Sequence, residues 1–329
     1  MRKKKILIIS LSDLDKDPRV RRHINFLKDD YEIVAAGYKD PNIKDVKFVQ
    51  VKMLKSKKTE LIKILFYLKT HQFENYYWNK YDFKALFVLA EKEMFDVIIA
   101  NDVNTLPLAF KIKKDAKIVF DAHEYAPLEF EDSIYWRFFF QRYQTYLCEK
   151  YIPKVDAMFT VGELIANEYE NNFGVKSEII TNAPPYHSEL SPIINNGYVI
   201  KIIHQGIAFS SRKLELMIEA MKYLDDRYKL YLMLIENDSK YMNKLRKKAQ
   251  KMSNVKFLEP ISSDRIVKYI NSFDIGLHII APTNFSNACA LPNKFFEFIQ
   301  ARLAIVVGPS PEMKRLVEKY SLGVITKDF

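Results

Sequence analysis

Short runs of apolar and β-branched residues alternate along the chain with longer segments whose apolar positions recur every three or four residues. In the first half the runs are KILIIS, EIVAAG, DVIIAND, KIVFDAHE, AMFTVG and EIITNA. In the second they are IKIIHQG, YKLYLMLI, VKFLEP, IGLHII, AIVVG and GVIT. The runs are continuously apolar rather than alternating, the pattern of parallel strands covered by helices on both faces. The fold class expected is α/β, with two doubly wound Rossmann-like domains facing across a cleft. PPYHSELSPIINNGY, residues 184–198, is rich in Pro, Asn and Ser and reads as the linker. That divides the chain into residues 1–190 and 191–329. Ligands of such sheets bind beyond the carboxyl ends of the strands, so the residues just after each run are the ones to inspect.

A length of 329 residues agrees with two domains. With 48% hydrophobic and 28% charged residues the chain reads as folded and soluble. Cys148 and Cys289 give neither a disulfide framework nor a metal-ligand spacing, which fits a reducing, cytoplasmic compartment. The basic start MRKKKILIISLSD resembles a signal peptide superficially, but its apolar run is too short and reads as a first strand. No stretch approaches eighteen apolar residues, so no transmembrane helix is expected. A net charge of +10 is compatible with nucleic acid, an anionic membrane or phosphorylated substrates. No nucleic-acid-binding motif accompanies it, and nucleic acid is not an expected partner.

SDLDKDPRV superficially resembles a calcium loop through Asp13, Asp15 and Asp17. Pro18 stands where glycine is required and Ile24 where glutamate is required. The better reading is a helix capped by Asp17, with Pro18 in its first turn. Arg19 and Arg22 then project near the cleft, either toward an anionic acceptor or into solvent. After DVIIA come Asn101, Asp102 and Asn104, fit to bind ligand or to cap the next helix. KIVFDAHEYAP runs directly into Asp121, His123 and Glu124. Three such groups at a strand end point to proton handling or to hydrogen bonds with sugar hydroxyls, the alternative being a helix cap and a histidine satisfied in the core.

In HQGIAFSSRKLELMIEAM, Gly206 allows a tight turn after the strand, and Arg212 and Lys213 follow near the next helix start. Cations and free backbone N–H groups there suit a diphosphate. ALPNKFFEFIQA, residues 290–301, raises the sharpest question. Pro292 would open a helix and leave the N–H groups of Asn293, Lys294 and Phe295 pointing outward beside the lysine charge. Glu297 would lie one turn further along the face of Asn293, placed either to hold a ribose or as part of a polar stripe with Gln300.

These segments, in this order, resemble a glycosyltransferase of the GT-B fold, in the large retaining family numbered four. The resemblance spans nearly the whole chain. DPRVRRHINFL resembles the family's first helix, and DAHEY the strand end whose histidine faces the sugar. TVGELIANEY and EIITNAPP match the end of its first domain. HQGIAFSSRKLELMIEAM resembles the donor-phosphate loop, and LPNKFFEFIQARLAIVVGPSPEM the most specific motif, in the LPNKxFE subgroup that builds capsular or surface polysaccharide. The resemblance implies a nucleoside-diphosphate sugar as donor, held mainly by the second domain, and a glycan or polyprenyl-linked acceptor entering from the first. Arg212 would neutralise phosphate, with Gly206, Lys213, Asn293 and Lys294 beside the diphosphate and Glu297 on the ribose. His123, with Asp121 and Glu124, would face the transferred sugar, and Arg19, Arg22, Asn101 and Asp102 would lie on the acceptor side. No metal and no cofactor is implied. The chain departs from the pattern in several places. Cys289 stands where the first glutamate of the family's Glu-x7-Glu pair falls, Ile207 follows Gly206 where arginine is usual, and the chain has only eight glycines. It stops at LGVITKDF, before the helices with which the fold normally crosses back.

KMLKSKKTELIKILFYLKTHQFENYYWNKYDFKALF interleaves Lys52, Lys55, Lys57, Lys58, Lys63 and Lys69 with Ile62, Leu65, Phe66, Tyr76, Tyr77 and Trp78. Such a stretch suits peripheral contact with an anionic membrane, at the inner face of the cell membrane, or an ordinary helix with lysines in water. The leading expectation is a sugar transferase. A sugar-nucleotide epimerase of the same plan, and a non-catalytic sugar-nucleotide or lipid-binding protein, are the alternatives.

Overall fold

A computed structural model describes residues 3–54 and 58–329, and every side chain among these except those of residues 58–60. Lys55 and Lys57 of the basic stretch lie outside the described residues, as does the Lys58 side chain. Contacts divide the chain into two compact units, residues 1–180 and 181–329. The segment from Ile180 to Val199 contains no helix or strand. It is tied to the second unit: His187 N donates to Gln300 Oε1 at 3.0 Å, Arg302 donates to the His187 carbonyl at 3.0 Å, and Asn271 donates to the Ser191 carbonyl at 3.0 Å.

The first unit carries β1 (Lys5–Ser10), β2 (Glu32–Gly37), β3 (Lys47–Gln50), β4 (Lys52–Met53), β5 (Tyr81–Asp82), β6 (Val97–Asn101), β7 (Lys117–Ala122), β8 (Ala157–Thr160) and β9 (Glu178–Ile179). Seven of them form one sheet in the order β3-β2-β1-β6-β7-β8-β9, and β4 and β5 pair separately. Every pairing in the large sheet is parallel. The continuous apolar runs become its central strands: Ile6 to Ser10 and Ile98 to Asn101 are buried on both faces. The chain order reverses between β1 and β6, so the carboxyl ends of β1, β6 and β7 meet at the switch point. The register sets Ser10 beside Asn101 and Asn101 beside Asp121.

The second unit carries β10 (Ile200–Ile207), β11 (Tyr228–Ile235), β12 (Val255–Leu258), β13 (Ile275–His278), β14 (Ala304–Val307) and β15 (Gly323–Ile325), in a parallel sheet ordered β12-β11-β10-β13-β14-β15. Its switch point lies between β10 and β13. Two apolar layers cover the sheet. One gathers Leu214, Met217, Ile218, Leu230, Leu232 and Leu245. The other gathers Ile203, Met233, Phe295, Phe298, Ile305 and Met313.

The capping reading holds at the first helix, Pro18–Leu27. Asp17 has extended φ/ψ of −93°/98°, and its carboxylate accepts from Val20 N at 3.1 Å. The helix of the ALPNKFFEFIQA segment starts one residue later than expected. Pro292 is its cap, with φ/ψ of −70°/148°, and Asn293–Gln300 is the helix. Phe295 N donates to the Pro292 carbonyl at 2.9 Å, which removes one of the three amides expected to point outward. Among the described residues no helix is long and apolar enough to cross a membrane.

Candidate functional site

Two clusters of polar residues form at the two switch points. In the first unit, Asp121 at the end of β7 is fully buried and sits at the centre. Arg19, reaching in from the first helix, grips it with both arms of its guanidinium, Nε to Oδ2 at 2.6 Å and Nη2 to Oδ1. His123 Nε2 lies 3.1 Å from Asp121 Oδ2 and its Nδ1 3.5 Å from Asp102 Oδ2. His23 adds a third neighbour to Asp121 at 3.4 Å. Burial alone would raise the Asp121 pKa, but His123 and Arg19 outweigh it and hold the carboxyl below its usual value. Burial likewise pushes His123 down, yet Asp102 and Asp121 carry it up to about 9, so the imidazolium is its resting form at neutral pH. His23, whose largest influence is burial, is lowered.

The sequence left Arg19 either facing an anionic acceptor or in solvent. The structure spends it on Asp121: the side chain is 6% exposed and bonded along its whole fork. Asn101 is also inward, buried, with Nδ2 donating to the Ile9 carbonyl at 3.0 Å. Arg22 is partly buried on the same helix as Arg19. Asp102 is exposed and held at φ 64°, ψ 152°, outside the comfortable range of an L-residue, with its N–H on the Asp121 carbonyl at 2.9 Å. Glu124 is exposed, and its carbonyl accepts from the buried Tyr169 hydroxyl at 2.8 Å, which fixes the loop after His123. Of this half, His123, Asp102 and Glu124 present side chains outward, while Asp121 and Arg19 support them from beneath.

In the second unit the polar residues line a cavity of about 260 Å³. The Asn293–Gln300 helix buries Phe295 and Phe298 in the core and turns Asn293, Lys294 and Glu297 to the cavity. Gln300, the third member of the supposed polar stripe, is elsewhere, on His187. Gln205 at the end of β10 donates to Glu297 Oε2 at 2.5 Å and so aims the carboxylate. Gly206 follows at φ 126°, a conformation that favours glycine, and a Cβ there would come within 2.7 Å of Lys294 Nζ. The missing side chain is therefore the space the lysine occupies.

Lys294 is 8% exposed and its ammonium has no hydrogen-bond partner. Burial, then Arg212, lowers its pKa to about 7 against a smaller opposite pull from Glu297. Gln205 Oε1 is likewise buried without a partner. Arg212 lies in a short turn with its guanidinium over the Phe209 ring and Nη1 on the Ile207 carbonyl at 3.2 Å. Neither Arg212 nor Lys213 lines this cavity: both border a separate apolar one, and Lys213 is exposed, while Arg212 Nη1 is 4.0 Å from where a Cβ on Gly206 would lie. Beneath Lys294, His204 and His278 stack in parallel at 5.9 Å, both fully buried and both pushed well below 6.5 by burial and the lysine. His204 Nδ1 lies 2.8 Å from the Leu277 carbonyl, which accepts its proton.

The other wall of the cavity is apolar: Met233 and Ile235 from β11, then Pro260, Ile261 and Ile266 beyond β12. Sequence reasoning missed this wall and Gln205. The only signal was position, since Gln205, Met233 and Ile235 lie toward the carboxyl ends of β10 and β11, and Pro260, Ile261 and Ile266 follow β12. Chemically the cavity offers a buried lysine amine that no protein group engages, a carboxylate held for hydroxyl donors, and an apolar shelf. Among the described residues no cluster of His, Cys, Asp and Glu has the makeup of a metal site.

No protein-family model matches the chain, and no curated protein matches its sequence. Solved structures share its fold. Anabaena HepE in complex with UDP and glucose aligns at 13% identity and a TM-score of 0.63, over 99% of this chain and 86% of that one. A variant of S. aureus TarM, in complex with fondaparinux, alpha-GlcNAc-glycerol and UDP, aligns at 13% identity and 0.65, over 99% and 90%. WaaG, a glycosyltransferase involved in lipopolysaccharide biosynthesis, aligns at 11% identity and 0.61, over 97% and 85%. The likeness establishes the fold: two parallel-sheet α/β units of the Rossmann-like kind, as in GT-B glycosyltransferases.

Proposed function

We propose that the protein is a glycosyltransferase that moves a sugar from a nucleoside-diphosphate sugar to a glycan or lipid-linked acceptor, in the making of a surface polysaccharide. The observation that carries this reading is the second-unit cavity, where an unpartnered buried ammonium, an aimed carboxylate and an apolar shelf sit within one small volume. A nucleoside diphosphate answers all three. The base lies against Ile235, Pro260 and Ile261, the ribose hydroxyls donate to Glu297, and the diphosphate meets Lys294, Asn293 and the Gly206 turn, with Arg212 close by. A HepE structure holding UDP and glucose on the same fold supports the same assignment.

In this reading the leaving diphosphate is stabilised by Lys294 and by Arg212 beside the Gly206 turn, and these cations take the place of a metal ion. His123, an imidazolium, meets the transferred sugar, and Asp102 and Glu124 serve the acceptor side. Asp121 and Arg19 hold His123 in place. Transfer with retention of anomeric configuration, work at the inner face of the cell membrane, and peripheral membrane contact through the basic stretch belong to the same proposal.

Calorimetric titration of UDP, GDP and their sugar conjugates tests it. One nucleotide binds in the micromolar range, and Glu297→Ala weakens it at least tenfold, about 1.4 kcal/mol. Failure of all of them to bind would refute the reading. Conversion of the bound donor to another sugar nucleotide without an acceptor would identify an epimerase instead.

A further inference from the structure

We propose that Gln205 decides which nucleotides the second-unit cavity accepts: its side-chain oxygen takes one ribose hydroxyl while Glu297 takes the neighbouring one, so the site selects ribonucleotides over deoxyribonucleotides. This rests on the nucleoside-diphosphate reading above and narrows the donor class within it.

Near the end of β10, Ile203 and Gln205 point to the same face of the sheet. Ile203 is fully buried in the apolar layer of Met233, Phe295 and Phe298, and the register sets Gln205 beside Met233 on β11. In such surroundings a leucine or methionine would fill the position without a polar atom to satisfy. An amide stands there instead, 3% exposed. Chemistry fixes which way it faces. Nε2 donates to Glu297 Oε2 at 2.5 Å. Only the amide nitrogen can donate to a carboxylate, so the amide oxygen is turned away from Glu297. That oxygen, Oε1, is buried without a hydrogen-bond partner, on a side chain that lines the cavity.

A half-satisfied amide is costly to bury, and few persist in folded proteins. The missing partner has to be a donor. Lys294 Nζ, the other unpartnered atom of the cavity, is a donor, yet the two are not bonded to each other. They therefore suit different parts of one ligand. Phosphate oxygens accept, so a diphosphate satisfies Lys294 and does nothing for Gln205. The base rests on the apolar wall of Ile235, Pro260 and Ile261. The ribose supplies what remains, two adjacent hydroxyls, each able to donate. Glu297 and Gln205 are two acceptors joined by a hydrogen bond, one from the helix and one from the strand, and each meets one hydroxyl. A deoxyribose lacks one of those donors and leaves one acceptor buried and unpaired, the arrangement by which a site rejects an analogue without the hydroxyl.

The test is calorimetric titration of the full chain with UDP and GDP, and with the 2′-deoxy and 3′-deoxy forms of whichever binds. Both deoxy forms bind about 10- to 100-fold more weakly than the ribonucleotide. Gln205→Met keeps most of the volume, removes the amide and weakens the ribonucleotide about tenfold. Unchanged circular dichroism and unfolding midpoint show that the variant is folded. The decisive comparison is with Glu297→Ala. The penalty of each substitution shrinks against the deoxy form that lacks its own hydroxyl, and the two substitutions lose their penalties against different forms. If both lose them against the same form, or Gln205→Met costs nothing once Glu297 is alanine, then Gln205 only aims the carboxylate and the proposal is overturned. A wild type that binds the deoxy forms as tightly as the ribonucleotide overturns it without any variant, and leaves the nucleotide reading standing. If neither ribonucleotide binds, both fall.

Discussion

Replacing Lys294 by methionine is expected to raise the dissociation constant of the sugar nucleotide about 30- to 150-fold, the loss of the roughly 2–3 kcal/mol carried by a charge-assisted contact. Methionine keeps most of the volume and removes the charge. The empty protein should be no less stable for it, because the buried amine has no partner to lose. The lysine also predicts a pH dependence. Burial and Arg212 bring its pKa down to about 7 in the empty site. A bound diphosphate favours the ammonium, so binding takes up a proton above that pH. Affinity is then flat below about pH 7 and weakens above it by up to roughly tenfold per unit, the slope of one linked proton. Calorimetry in buffers of different ionisation enthalpy counts the proton directly. A wild-type affinity with no pH dependence, or a Lys294→Met variant that keeps one, would remove the lysine from the diphosphate.

Asp121→Ala is expected to cost about 3–5 kcal/mol of stability, because it leaves the enclosed guanidinium of Arg19 without its counterion. The measurement is denaturant unfolding, followed on the first unit. Combining Arg19→Met with Asp121→Leu removes both charges and should recover most of the loss. If the double variant is no better than Asp121→Ala alone, the pair is not the source of the cost. The same substitution lowers the His123 pKa from about 9, since one of the two carboxylates holding it up is gone. The position of the His123 ring signals in an NMR titration reads that shift independently of stability.

The sheets were legible because parallel strands buried on both faces write themselves as unbroken apolar runs. KILIIS, DVIIAND and IKIIHQG became β1, β6 and β10 with little change. The polar residues at strand ends were legible for the same reason, as they break those runs abruptly. What the sequence concealed is what distance conceals. Arg19 looked free for a ligand because nothing local announces that Asp121, 102 residues later, will enclose it. Met233, Ile235, Pro260, Ile261 and Ile266 share one wall only because β10, β11 and β12 are neighbours, and as a sequence they are ordinary apolar residues. Gln205 was overshadowed by the glycine beside it. Helix Asn293–Gln300 carried both readings of Glu297 at once: Asn293 and Glu297 share a polar side that faces the cavity, while Gln300 leaves it for His187.

The two polar clusters also make the two halves of the molecule answer alkali in opposite ways. His123 is held at about 9, above the 6.5 of an unfolded chain, so the stability it lends the first unit is complete below pH 6.5 and is lost as the pH climbs to 9. Lys294 is held at about 7, below the 10.5 of an unfolded chain, so the penalty it imposes on the second unit is full below pH 7 and is lifted as the pH climbs from 7 to 10.5. Each contributes up to about 1.4 kcal/mol per pH unit, with opposite sign. From these two side chains alone, the first unit loses stability between pH 6.5 and 9 while the second gains it between 7 and 10.5, so the two effects offset each other only where the windows overlap.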